Sequence, residues 1–312
     1  MGARGAVGLI TCGWRHEEDE LEPLLRDLGA MDLRVVHLPL YRWFDELMEK
    51  ESVLSTAYQA RQREIVGWKA GYREQLGCAM HAVGKMQARA RQQPGLFAED
   101  LDWTVDVLRT LDARALQRLA ELRAAHPACA RPWDFPTVRS HHARVKDVFA
   151  HVDIVLIAGG HVGVLRNRME FFGVDVLLRR YLGRGGSVVA WSAGAMVLGE
   201  RIYLYYDDPP EGEADAELFD AGFGIIPGAV LMPHARRRLR FNDGDRMARF
   251  ARRLGRRQGI TLENGARLDW RDDSWMDRSR PDSSWRLSTD GPPVPLDIVA
   301  TPLAAPVGEV VP

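Results

Sequence analysis

Short apolar runs alternate along this chain with longer stretches in which hydrophobic and polar residues recur at helical spacing. Residues 7–11 and 34–38 are apolar and bounded by Gly and Pro, which predicts two strands, and the acidic, Leu-containing stretch 17–28 between them predicts a helix. The opening is therefore a β-α-β unit. From Tyr41 to about Gln93 no proline interrupts, and Leu47, Leu54, Ile65, Trp68, Tyr72, Leu76, Met80 and Val83 recur at roughly helical intervals among Arg, Gln and Glu. This predicts one long helix or a helical pair. A second helical pattern, residues 96–125, follows Pro94-Gly95, carries Leu101, Val105, Leu108, Leu111, Leu116, Leu119 and Leu122, and stops near Pro127.

The alternation resumes at residues 151–158, a mostly apolar run that ends in Gly159-Gly160, followed by a helical segment 161–182. Residues 185–190 form another apolar strand, which feeds Trp191-Ser192-Ala193-Gly194 and an apolar helix start. Near the C-terminus, residues 259–270 read as strand, turn and strand around Asn264-Gly265, residues 285–300 as late strands or a hairpin, and residues 301–312 as an irregular, proline-containing tail. Continuous Val/Ile/Leu strands separated by helices indicate an α/β fold, a doubly wound, mostly parallel sheet covered on both faces. On such sheets ligands sit at the carboxyl ends of the strands, where Gly159, Gly160 and Ser192 all fall.

The 312 residues, 46% hydrophobic and 27% charged, suffice for one large domain or for a core with an inserted module. The expected division is an α/β core over 1–40 and 132–300, a helical insertion over 41–131 and the tail. With 42 basic against 43 acidic residues the formal charge is −1, so no global field draws nucleic acid or an anionic membrane. Cys12, Cys78 and Cys129 lack the spacing of a disulfide framework or zinc site and fit a reducing cytoplasm. The apolar stretch 6–12 is too short for a signal segment, and no window approaches a membrane span. The first βα turn lacks G-x-G-x-x-G, and His and acidic residues do not cluster at ligand spacing, so neither a dinucleotide nor a metal cofactor is expected.

A serine at a sharp strand-to-helix turn needs small neighbours, and Ala190-Trp191-Ser192-Ala193-Gly194 supplies them, with Ala190 in place of the first glycine of G-x-S-x-G. A plain helix N-cap is the competing reading of Ser192. Acyl transfer also needs backbone N–H donors aimed at the developing oxyanion; Ala193 offers one, and Gly159-Gly160, which on their own would merely turn the chain, offer a second. Together, Ala158-Gly-Gly-His161, Gly185-Gly-Ser-Val-Val-Ala-Trp-Ser-Ala-Gly-Ala195 and Pro233-His234 resemble the peptidase E and cyanophycinase family. These are serine peptidases with a class I glutamine amidotransferase-like (flavodoxin-like) fold. The resemblance spans about residues 151–265 plus the opening strand. Amidotransferases proper place cysteine at the elbow, so Ser192 argues for hydrolysis.

The resemblance implies roles for further residues. His234, after the apolar strand 225–232, stands where the family's general base falls. Glu263 resembles its acidic residue after a Gly-Ile strand, and Asp207 lies where peptidase E has another functional acid; the two compete for the third place, Asp207-Asp208-Pro209 also reading as a plain turn. His161, Trp191 and Arg238 are candidate substrate contacts. Arginine forks match carboxylates, although the basic residues 235–257 also read as a solvated helix face. His161 departs from the Asn or Asp the family leads one to expect. The expected partner is a small peptide or amide substrate, with no nucleic acid or membrane; the helical stretch is core packing, a homodimer face or a substrate-selecting lid. Rival functions are an amidotransferase-like biosynthetic enzyme and a catalytically silent interaction protein.

Overall fold

The computed structural model describes residues 5–29, 31–205 and 215–296. The chain runs β1 (Gly5–Ile10), α1 (Glu22–Gly29), β2 (Leu33–Leu38), α2 (Leu40–Lys50), α3 (Ser52–Gln92), α4 (Pro94–Ala124), α5 (Pro127–Ala130), α6 (Pro136–His151) and β3 (Ile154–Ile157). It continues through α7 (Val162–Phe171), α8 (Val174–Gly183), β4 (Ser187–Ala190), α9 (Ala193–Leu198), β5 (Arg201–Leu204), β6 (Glu217–Ala221) and β7 (Ala229–Pro233). The last elements are α10 (Ala235–Arg238), α11 (Gly244–Leu254), β8 (Gln258–Leu262), β9 (Leu268–Arg271), β10 (Ser274–Asp277), β11 (Ser284–Arg286) and β12 (Val294–Pro295).

The first ladder has the order β2-β1-β3-β4 and is parallel throughout. Ala6 and Ile10 face the layer containing Val145 and Phe149 of α6, while Val7 and Leu9 face Leu28 of α1. Burial on both faces is why the central strands β1 and β3 read as unbroken apolar runs, whereas the edge strand β4 leaves Val189 half exposed. A second ladder, β12-β11-β8-β7, keeps β7 and β8 parallel and adds β11 and β12 antiparallel at its outside. Antiparallel pairing is otherwise confined, among the described residues, to the hairpins β5-β6 and β9-β10. The parallel strands thus form two ladders, with α9 packed against β7 and Glu200 N–H donating to Ala229 O at 2.8 Å.

Several boundaries differ from those the sequence predicts. The first helix starts at Glu22, after a 3-10 turn over Cys12–Glu17, because Glu18 is drawn away to accept the N–H groups of Tyr41 and Arg42, both at 2.9 Å, at the start of α2. Glu51 leaves helical geometry, with φ −108° and ψ 80°, and divides α2 from α3. The segment expected as one helix over 161–182 breaks at Gly173 into α7 and α8. Asn264-Gly265 does turn the chain, but β8 pairs with β7 and β11, and β9 pairs with β10, so the flanking strands are not hairpin partners.

α3 and α4 lie together, and their apolar residues, among them Tyr72, Leu76, Val83, Val105 and Leu108, belong to the same cluster as Ile10, Ile157 and Val197. Two buried polar nodes fasten them to the sheet side. In the first, Asp112 of α4, fully buried, accepts from Arg253 Nε and Nη2 of α11 at 2.7 Å each, from Tyr72 of α3 at 2.9 Å and from Tyr203 of β5 at 3.1 Å. In the second, Asp220 of β6 accepts from both terminal nitrogens of Arg123 of α4 and lies 3.5 Å from Arg166 Nε of α7. Burial pushes the Asp220 carboxyl up, and the two guanidinium groups outweigh it, leaving it below the ordinary carboxylate value. No helix among the described residues is long and apolar enough to cross a membrane.

Candidate active site

Four strand ends carry the candidate chemistry. β3 runs into Gly159-Gly160, β4 into Ser192, β7 into His234 and β8 into Glu263. Ser192 and His234, each within two residues of its strand's end, both have positive φ, 53° and 56°, although neither is glycine. A β strand that must turn at once into a helix compresses the turn into such a residue, which lifts its side chain clear of the sheet.

At the elbow, Ser192 has φ 53° and ψ −125° and is half-buried. Its carbonyl accepts from Ala195 N–H at 3.0 Å and Met196 N–H at 3.2 Å, so α9 starts directly beyond it, whereas its hydroxyl makes no cap hydrogen bond. The plain N-cap reading therefore does not describe it. The backbone of β3 and its exit presses on the elbow from behind. A Cβ on Gly159 would stand 2.6 Å from Ser192 Cβ and 3.0 Å from its Oγ, and one on Gly13 would stand 2.3 Å from Gly159 O. Gly160 has φ 107°, and the next residue, His161, donates its N–H to Gly13 O at 2.7 Å. Glycine is required here because three backbones meet without room for side chains. Ala193 N–H, the first of its helix, has no intrahelical acceptor, and neither Gly159 N–H nor Gly160 N–H donates to a described backbone carbonyl.

The second half of the candidate site is a cleft of about 510 Å³ lined by His234, Arg236, Arg237, Arg238, Glu263, Asn264 and Asp282. His234 adopts φ 56° and ψ 29°, and its N–H donates to Leu262 O at 2.9 Å, which holds the turn against the end of β8. Glu263 Oε1 accepts the backbone N–H of Arg236 at 2.6 Å, within the first turn of α10. The carboxylate thus engages the backbone of the turn that presents His234 rather than the imidazole itself. Among the described residues no hydrogen bond joins Ser192 to His234, or the His234 imidazole to Glu263.

The expected residues consequently fall into two groups: Ser192, Ala193, Gly159, Gly160, His161 and Trp191 around the elbow, and His234, Glu263 and Arg238 in the cleft. Asp207 lies outside the described residues, as do residues 301–312. His161 is exposed, and its Nδ1 accepts Val164 N–H at 3.2 Å as the N-cap of α7, while its Nε2 makes no hydrogen bond among the described residues. Trp191 and Arg238 are exposed. Gly13 joins the site without having been expected there, although a glycine two residues beyond an apolar first strand, at the sheet's carboxyl edge, is a signal that could have found it. Among the described residues no group of three or more His, Cys, Asp or Glu side chains is placed to hold a metal ion.

Residues 128–276 match the model of peptidase family S51. No curated protein matches the chain. Among solved structures it is similar to a peptidase from an acI-B1 Actinobacterium, at 17% identity and a TM-score of 0.38 over 50% of this chain and 63% of that one. The chain thus spans less than two thirds of that structure's length. It is also similar to a putative peptidase E protein from Listeria monocytogenes EGD-e, at 12% identity and a TM-score of 0.40 over 89% of this chain and 87% of that one.

Proposed function

We infer, from the match of residues 128–276 to the model of peptidase family S51, that the chain is a serine-type peptidase cleaving a peptide or isopeptide bond of a small substrate through an acyl-enzyme on Ser192. The observation that carries this reading is the elbow: a half-buried serine at φ 53°, free of capping duty, with glycine backbone against it and an unspent N–H beside it.

In this reading Ser192 Oγ attacks the carbonyl carbon while His234 takes its proton. The carbonyl oxygen becomes an oxyanion held by Ala193 N–H with Gly160 or Gly159 N–H, a type of contact worth about 3 kcal/mol per donor in the transition state. The tetrahedral species collapses with cleavage of the C–N bond, and the imidazolium returns its proton to the leaving amine. Water, activated by His234, then adds to the acyl carbon and releases the second product with Ser192 restored. Glu263 keeps the His234 turn in place through Arg236 N–H, with Asp207 as the alternative acid. Arg238, His161 and Trp191 are the proposed substrate contacts, the guanidinium suited to a carboxylate and the indole to an apolar side chain. The three unpaired cysteines favour a reducing compartment such as the cytoplasm.

The test is to treat the folded protein with a fluorophosphonate probe and to offer it a set of dipeptide amides and isoaspartyl dipeptides, in parallel with Ser192→Ala. Labelling at Ser192 and a loss of turnover of at least about 10⁴-fold in the variant are expected. Turnover that survives the substitution would remove Ser192 as nucleophile.

A further inference from the structure

Beside the His234 half of the candidate site stands a buried tyrosine to which no role has been given. Tyr205 follows β5 directly, is 5% exposed, and its hydroxyl donates to the carbonyl oxygen of Pro233 at 2.8 Å. Pro233 is the last residue of β7, and the next residue is His234. The peptide bond whose oxygen Tyr205 grips is therefore the one whose nitrogen belongs to His234, and that same nitrogen donates to Leu262 O at 2.9 Å. Two hydrogen bonds, one on each end of a single rigid peptide plane, set the orientation from which the His234 side chain departs.

The plane needs such support. His234 is a non-glycine residue in the left-handed region, a conformation that persists only when its surroundings over-determine it. The Leu262 contact alone leaves the plane free to rock about that bond. The hydroxyl suits this role because burial pushes the Tyr205 phenol far above its ordinary value, with Arg238 pulling it back, so it stays a donor throughout the pH range in which an enzyme works.

We propose that Tyr205 is a positioning residue for His234, holding the Pro233–His234 peptide plane so that the imidazole meets the Ser192 proton. This rests on the serine-peptidase reading and extends it to a residue of a different strand. The readout is the second-order rate at which a fluorophosphonate labels Ser192, which depends on activation of the hydroxyl and needs no known substrate. Tyr205→Phe is expected to lower that rate about tenfold. Tyr203→Phe, which loses a comparable buried hydroxyl bond on the same strand away from His234, is expected to lower stability while leaving the rate within about twofold. Replacing Tyr205 by para-aminophenylalanine, which returns a donor to the same place, is expected to restore the rate; were Tyr205→Phe not to fold, the rate of this variant against wild type decides, a tenfold loss counting against the proposal. An unchanged rate in Tyr205→Phe, an equal loss in Tyr203→Phe, or no restoration by the amino analogue would overturn it. Ser192→Ala, run alongside, separates the two levels: labelling that persists there defeats the hydrolase reading, whereas its loss with a wild-type rate in Tyr205→Phe defeats the Tyr205 inference alone.

Discussion

Ser192 holds a backbone conformation that most L residues avoid, at a cost of about 1–3 kcal/mol. Glycine would relieve it, and would give back about 0.5–1 kcal/mol through the greater freedom of the unfolded chain. The difference favours the variant. Ser192→Gly is expected to raise stability by about 1 kcal/mol, about 1–2 °C in Tm by calorimetry, while abolishing labelling and turnover; a lower Tm would mean that the elbow is not strained. The residue types at this site were legible because the chemistry restricts them: small neighbours around a serine, and glycines where a backbone must approach. What sequence could not convey was use. Glu263 is a natural candidate partner for the imidazole, yet one of its two oxygens accepts Arg236 N–H, and backbone donors leave no mark on composition. Gly13 escapes notice for a similar reason, since what it touches, Gly159 O, lies 146 positions along the chain.

Among the elements, the 3-10 turn after β1 and the start of α2 share one side chain. Glu18 is buried and accepts two backbone N–H groups at the head of α2. Burial pushes its carboxyl up to about 7, against the pull of those donors, from an ordinary 4.5. Between these two values the folded chain keeps a proton that the unfolded chain has released, so the contribution is fully present below about 4.5 and is lost as pH rises through 7. Glu18→Gln cannot titrate, and its Tm should fall less than that of wild type between about pH 5 and pH 7.5; parallel Tm profiles would show that Glu18 does not carry the proton. The central strands β1, β3 and β7 were the easiest elements to find, because burial on both faces writes an unbroken apolar run. Helix boundaries were less visible: the periodicity over 161–182 continues across Gly173, and the break before Glu22 depends on Glu18 reaching residues 41 and 42.

Across the whole molecule, the Asp112–Arg253 pair joins α4 to α11 with neither side chain exposed. Removing one partner strands the other charge in the interior, so Asp112→Ala is expected to cost about 3–5 kcal/mol in urea denaturation. Asp112→Leu combined with Arg253→Met removes both charges and should recover most of that loss; a double variant as unstable as the single one would mean that the surrounding tyrosine hydroxyls, not the charge, dominate. Asp112 sits in a helix rich in Leu, Arg and Asp, where it is indistinguishable from its solvated neighbours, and only the tertiary structure singles it out. The pairing also sets a timetable for synthesis. Arg253 lies 141 positions after Asp112, and at about 5–20 residues per second a ribosome needs roughly 7–28 s to supply it. During that interval the Asp112 carboxylate has no cation, and the ladder β2-β1-β3-β4 is complete only once Ala190 has been made. The helices that emerge early must therefore be tolerated, by the cell's holding chaperones or by their own pairing, until the C-terminal third arrives to close the node.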